Sequence, residues 1–151
     1  MSQQVKSGGV LINRLNRLNS EFFDLNVNSE KSSDIDSSEL ASIVFTVLEA
    51  GTLETKDIQI ATGIPKSTLT DMLDRLEGKG WVRRERCTED RRKIKVRLVK
   101  SRKYFFDQFG PIIAKQQEVF YKGFSSEEID QFDKLLDRAC INFNKALGKI
   151  Y

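Results

Sequence analysis

The 151-residue chain has no histidine, only two cysteines and two prolines, and no apolar run that approaches the ~20 residues a membrane-spanning helix needs. Without histidine the familiar Cys/His zinc-ligand spacings cannot be built, so no metal or cofactor is expected. Cys87 and Cys140 lie far apart and read as small, partly buried hydrophobes. A Gly-rich phosphate loop and a G-x-S-x-G elbow are also missing, and the carboxylate pair Asp71 and Asp74 reads as helix surface charge. The chain is therefore expected not to be an enzyme. Its first residues, Met1 to Gly9, lack the basic-then-apolar order of a signal peptide, which makes a cytoplasmic location the expectation and a membrane partner an unexpected one.

What the chain does have is an uneven charge distribution. Between Lys79 and Lys103 there are twelve Lys or Arg against three acids, an excess of nine in a chain whose net charge is only +3. The remainder is therefore acidic by six, and a short basic segment on an acidic body is the pattern of a polyanion-binding face. A basic surface that is merely solvated is the alternative.

Apolar periodicity supplies the elements. Leu11, Leu15, Leu18, Phe22 and Leu25 alternate at spacings of four and three, with Ile12 and Phe23 widening the stripe, which predicts an amphipathic helix that packs either on a partner subunit or on its own. Asn26 to Ser38 reads as a loop, with Asp36 as the cap of a second helix that runs to about Glu49 and is stopped by Gly51. Thr55 is the expected cap of a third helix through Ala61, and Gly63 then precedes a fourth helix that starts at Pro65 and ends at Gly78 and Gly80. That fourth helix turns Leu69, Met72, Leu73 and Leu76 inward and Lys66, Ser67, Thr68, Thr70, Asp71 and Arg75 outward.

Two helices joined by a tight Gly-containing turn form a helix-turn-helix, whose second helix offers its N-terminal residues to a major groove. Two β-type runs follow, Trp81 to Cys87 and Lys93 to Val99, around a polar loop at Thr88 to Arg92. In the second run Ile94, Val96 and Leu98 alternate with Lys93, Lys95 and Arg97, so one face packs and the other is cationic. From Ser101 on the pattern is helical, with a kink expected at Gly110-Pro111 and a capping box at Ser125 to Glu128. The last helix is expected to bury Ile129, Phe132, Leu135, Leu136, Ala139, Phe143 and Leu147.

K-S-T-L-T-D-M-L-D-R-L-E at 66 to 77, G-K-G-W-V-R-R at 78 to 84 and E-D-R-R-K-I-K-V-R-L at 89 to 98 stand in an order and spacing that resemble the multiple antibiotic resistance regulator (MarR) family. The third stretch is the most specific of the three. The chain departs from the family at Gln59, where a small Ala is common, at Trp81, where Leu is usual, and at Val99-Lys100-Ser101-Arg102, which replaces Leu-Thr-x-x-Gly.

The resemblance implies a mostly α fold with a small β-hairpin wing, an α+β winged helix-turn-helix over 36–100 flanked by helical dimerisation regions at 10–30 and 101–151. It further implies a sequence-specific, double-stranded DNA-binding transcription regulator, commonly a repressor, acting as a homodimer on a pseudo-palindromic operator. In that pattern Lys66, Ser67, Thr68, Thr70, Asp71 and Arg75 meet the major groove. The wing, with Arg91 and Lys93 beside it, carries Arg92 into the minor groove while Asp90 holds the Arg92 guanidinium. The pair Asp90 and Arg92 can equally serve to close the hairpin turn.

Regulators of this family often bind a small aromatic effector, for which Tyr104, Phe105 and Phe109 are candidate lining residues, although such a stripe also reads as plain core. A redox role for Cys87 would require its thiolate to be stabilised by Arg84 or Arg86. A winged helix that binds a protein partner or RNA without operator specificity is the competing reading.

Overall fold

The leucine-rich N-terminal stripe folds as one long helix, α1 (Gly8–Ser29), in a computed structural model that describes residues 7–29 and 34–148. The helix takes in Asn26 to Ser29, which sequence had placed in the following loop. Residues 30–33 of that loop, and the last three of the C-terminal helical region, lie outside the described residues. Only the C-terminal part of the apolar stripe is used: Phe23 and Val27 are buried, while Val10, Leu11, Ile12, Leu15, Leu18 and Leu25 are exposed.

The helix α2 (Ser38–Ala50) is capped by Ser37 and not by Asp36. Ser37 is extended, and its hydroxyl accepts from the Leu40 amide at 3.4 Å; the Asp36 carboxylate is engaged elsewhere, with Arg75. Gly51 ends α2 at a φ of 81°, a backbone region that glycine enters without a Cβ penalty.

A three-residue strand, β1 (Thr52–Glu54), then appears where sequence offered no strand signal. It leaves Thr55 as the first residue of α3 (Thr55–Thr62) and puts Glu54, not Thr55, at the cap position. Gly63 closes α3 in the left-handed region, and the recognition-type helix α4 (Lys66–Gly78) starts directly after Pro65. Strands β2 (Val82–Arg86) and β3 (Ile94–Leu98) pair antiparallel, and β1 joins the far edge of β3, so the sheet has three strands in the order β1-β3-β2.

The core lies beneath this sheet. Val82 and Val96 point into it with Leu40, Ile43, Val44 and Val47 of α2, Ile58 of α3 and Leu69, Leu73 and Leu76 of α4. Trp81 is buried among Tyr104, Phe105 and Phe109 of α5 (Arg102–Phe120), with ring centroids 5.4–6.5 Å away; its indole N–H has no hydrogen-bond acceptor among the described residues. The helix α5 continues through Gly110-Pro111 as one element, so the proline omits a rung without dividing it.

The chain divides into two compact units, Met1–Gln116 and Gln117–Tyr151. In the second, Ser125 forms the expected capping box with Glu128 at the start of α6 (Ser126–Ala146), and Phe120, Tyr121, Phe124 and Phe132 form a small ring cluster. The burial expected of α6 is not found. None of its described residues is buried: Leu135 and Phe143 are 46% and 71% exposed, and the C-cap Leu147 is 64% exposed.

Candidate nucleic-acid interface

The first turn of α4 is open. Pro65 occupies the cap position and supplies no side-chain acceptor, so the leading N–H groups of Lys66, Ser67 and Thr68 point out of the helix with nothing to receive them from a capping side chain. Such an end attracts anions through both its free donors and the helix dipole. Lys66, Ser67, Thr68, Thr70, Asp71 and Arg75 are all exposed, as the periodicity required. They are not all equally available. The Thr70 hydroxyl donates back to the Lys66 carbonyl at 3.0 Å, whereas those of Ser67 and Thr68 form no hydrogen bond among the described residues.

Arg75 is held. One of its terminal nitrogens lies 2.9 and 3.1 Å from the two carboxylate oxygens of Asp36, 39 positions earlier in the chain. Nothing in the local sequence of α4 announces this partner. Asp36 is the main site residue that sequence reasoning missed, and it was missed because it had been assigned to helix capping.

The cations of the hairpin separate into two sets. Arg84 does not face outward: its guanidinium reaches Asp74 and Glu77 on α4, and its backbone N–H donates to Glu77 at 2.9 Å. It is a strut between β2 and α4. The Arg84 amide, and then the guanidinium, hold the Glu77 carboxyl below its ordinary 4.5. Partial burial works against the charge on Arg84, but its hydrogen bonds to Glu77 and Asp74 prevail and raise its pKa.

Lys93 lies 3.0 Å from Glu54 on β1, and the hydrogen bond and charge of that carboxylate raise the ammonium pKa above 10.5. Arg97 pairs with Glu85 across the strands at 3.0 Å. Arg83, Arg86, Arg91, Arg92 and Lys95 have no ion-pair partner among the described residues, and all five are exposed.

At the hairpin tip, Asp90 accepts from the backbone N–H of Arg92 at 3.0 Å, and its carbonyl accepts from the Lys93 amide at 2.9 Å. Asp90 therefore shapes the turn through the backbone. It forms no ion pair with the Arg92 guanidinium, which is exposed and has no ion-pair partner among the described residues.

Cys87, beside a shallow hollow lined by Arg86, Thr88 and Arg91, has its thiol lowered below the ordinary 9.0 by backbone hydrogen bonds from Asp90 and then Glu89, with Lys95 adding its charge. The arginines proposed from sequence for that role, Arg84 and Arg86, are not the cause.

Of the three candidate effector residues, Phe105 and Phe109 are buried; their rings tilt against each other, and Trp81 meets Phe105 edge-on and Phe109 at a tilt. Tyr104 is only partly buried, and the Lys100 ammonium sits 4.8 Å above its ring. Among the described residues no cluster of acids and cysteines could hold a metal ion, and no helix is long and apolar enough to cross a membrane.

Residues 37–94 match the model of the MarR family. A mutant of MarR from E. coli in complex with operator DNA is similar in fold, with a TM-score of 0.70 and 20% identity over 87% of this chain and 91% of that one. NadR in complex with 4-hydroxyphenylacetate gives a TM-score of 0.76 and 18% identity over 93% and 96%. BpsR from Bordetella bronchiseptica, described for regulation of its DNA binding by 6-hydroxynicotinic acid, gives 0.69 and 17% over 89% and 98%. At these identities the likeness establishes the fold.

Proposed function

We propose, from the match of residues 37–94 to the model of the MarR family, that this chain is a transcription regulator of that family, a sequence-specific reader of duplex DNA and a repressor. It binds a pseudo-palindromic operator as a homodimer, with α4 in the major groove and the β2–β3 tip in the minor groove. The observation that carries this reading is the set of five cations on the hairpin without an ion-pair partner among the described residues, together with the open first turn of α4.

Each part has a physical role. The open helix end and Lys66 anchor α4 on a phosphate, which places the free hydroxyls of Ser67 and Thr68 at base edges. Arg92 enters a narrow, A·T-rich minor groove, where the negative potential is concentrated. Arg83, Arg86, Arg91 and Lys95 contribute phosphate contacts, each steepening the dependence of log K on log salt by roughly 0.9.

One reading head covers too little DNA for high affinity, and the exposed apolar faces of α1 and α6 offer the surface for pairing two of them. Half-sites then lie about one turn, ~10 bp, apart. The aromatic acids named with NadR and BpsR make a small aromatic acid the effector class to screen, with Tyr104 the one of the three candidate rings that has surface to offer.

The test is fluorescence anisotropy with the DNA upstream of the protein's own gene, titrated across salt against a scrambled competitor, with light scattering for mass. A dimer showing sequence-selective, steeply salt-dependent binding supports the proposal. A monomer at micromolar concentration contradicts the pairing, and binding indifferent to sequence favours an RNA or protein partner instead.

A further inference from the structure

The reading face of α4 includes an arginine that is not free to read. At about 100° per residue, Thr68, Asp71 and Arg75 fall within an arc of about 60°, so Arg75 lies on the face that the functional proposal puts against DNA. Its guanidinium is neutralised there by Asp36 at 2.9 and 3.1 Å. The two side chains are 47% and 48% exposed, so the pair stands at the surface and is open to exchange.

The two partners are not equally movable. Asp36 follows Ile35, which is fully buried, and precedes Ser37, which caps α2. The Asp34 carbonyl one residue further back accepts from the Lys79 ammonium at the end of α4, and the Ser38 amide donates to Asp24 at 2.7 Å. The segment is thus fastened on both sides of Asp36, while Arg75 sits on a long side chain with several rotamers.

We infer that Asp36 is a positioning residue that filters what Arg75 binds: DNA must displace the carboxylate to gain the guanidinium. A phosphate met at random offers Arg75 little more than the carboxylate it gives up. A guanine edge offers two hydrogen bonds in the plane of the fork, and so wins the exchange more decisively. Asp36 thereby lowers affinity for arbitrary duplex more than for the operator, and it acts through Arg75.

This inference rests on the duplex-reading proposal, and its test separates the two. Asp36→Asn keeps the side-chain shape and removes the charge; Asp36→Ser serves as a second variant, and a thermal melt confirms folding of each. Operator and scrambled duplex are then titrated across salt. The variant should bind scrambled duplex roughly two- to fivefold more tightly, the equivalent of one exposed ion pair, and gain less on the operator. Its salt slope on scrambled DNA should steepen by up to about 0.9 as Arg75 takes a phosphate.

In an Arg75→Gln background both effects should vanish, which a merely structural role for Asp36 would not produce. Wild-type binding with unchanged behaviour of both Asp36 variants, or an effect that survives Arg75→Gln, overturns the filter alone. Absence of any wild-type duplex binding overturns the functional reading and the filter with it.

Discussion

The helix α4 and the β2–β3 hairpin are neighbours in sequence but carry charge in opposite ways. On α4 three of the five charges are committed within the protein: Arg75 to Asp36, Asp74 and Glu77 to Arg84. The hairpin keeps five cations unpaired. What remains outward on α4 is one open helix end, Lys66, Asp71 and the hydroxyls of Ser67 and Thr68, groups suited to discrimination and poor at long-range attraction. Under the proposed function, this contrast would give affinity and salt dependence to the hairpin and sequence preference to the helix.

The contrast breaks most visibly at the hairpin tip. Arg92→Ala should cost about 1 to 3 kcal/mol of operator binding and flatten the salt slope by roughly 1, with little change in melting temperature. An equal loss of stability would mean that Arg92 holds the fold.

On the helix, Ser67→Ala with Thr68→Ala should shift the profile recovered by binding-site selection while leaving the salt slope nearly intact. A profile identical to wild type would remove these hydroxyls from the reading surface.

The strut between the two regions gives a smaller effect, on stability. Glu77→Gln should cost about 1 kcal/mol near neutral pH, a modest figure because the carboxylate is still 36% exposed and screened. The Glu77 carboxyl is depressed in the fold, so its contribution is present above its ordinary 4.5 and is lost as pH falls through the lower folded value. Denaturant midpoints of wild type and variant should therefore differ at pH 6 to 8 and converge only as pH falls below 4.5 and through the folded value. A gap that persists there would mean that the charge of Glu77 is not what Arg84 uses.

The smallest effect expected is chemical. Alkylation of Cys87 followed by mass spectrometry should show a midpoint below 9.0, and operator DNA should slow it, while Cys140 on α6 should be indifferent to DNA. Equal protection of both thiols would contradict a hairpin-centred interface.

Much of this arrangement was legible in the sequence, for reasons that are local. The i, i+3, i+4, i+7 spacing of Leu69, Met72, Leu73 and Leu76 and the alternation from Lys93 to Leu98 are short-range signals, and both elements fold as read. The capping box at Ser125 is equally local.

What escaped was settled by distance or by missing neighbours. Strand β1 has three residues and exists because Leu53 finds Val96 across the sheet, 43 positions away. Asp36 looked like a cap because its partner Arg75 is 39 residues off. Arg84 looked like one more surface cation because its acids lie on the preceding helix. The apolar stripe of α6 was read as buried because periodicity reports that a face is apolar and not what lies against it.

The division of labour is tested most directly by dimethyl sulfate footprinting of the operator complex, which reports guanine N7 in the major groove and adenine N3 in the minor groove. The account predicts N7 protection at two sites about one turn apart, where α4 lies, and N3 protection flanking them that Arg92→Ala abolishes while the N7 pattern persists. Loss of both patterns together in Arg92→Ala protein that still binds the operator, or N7 protection with no minor-groove signal in wild type, would contradict it.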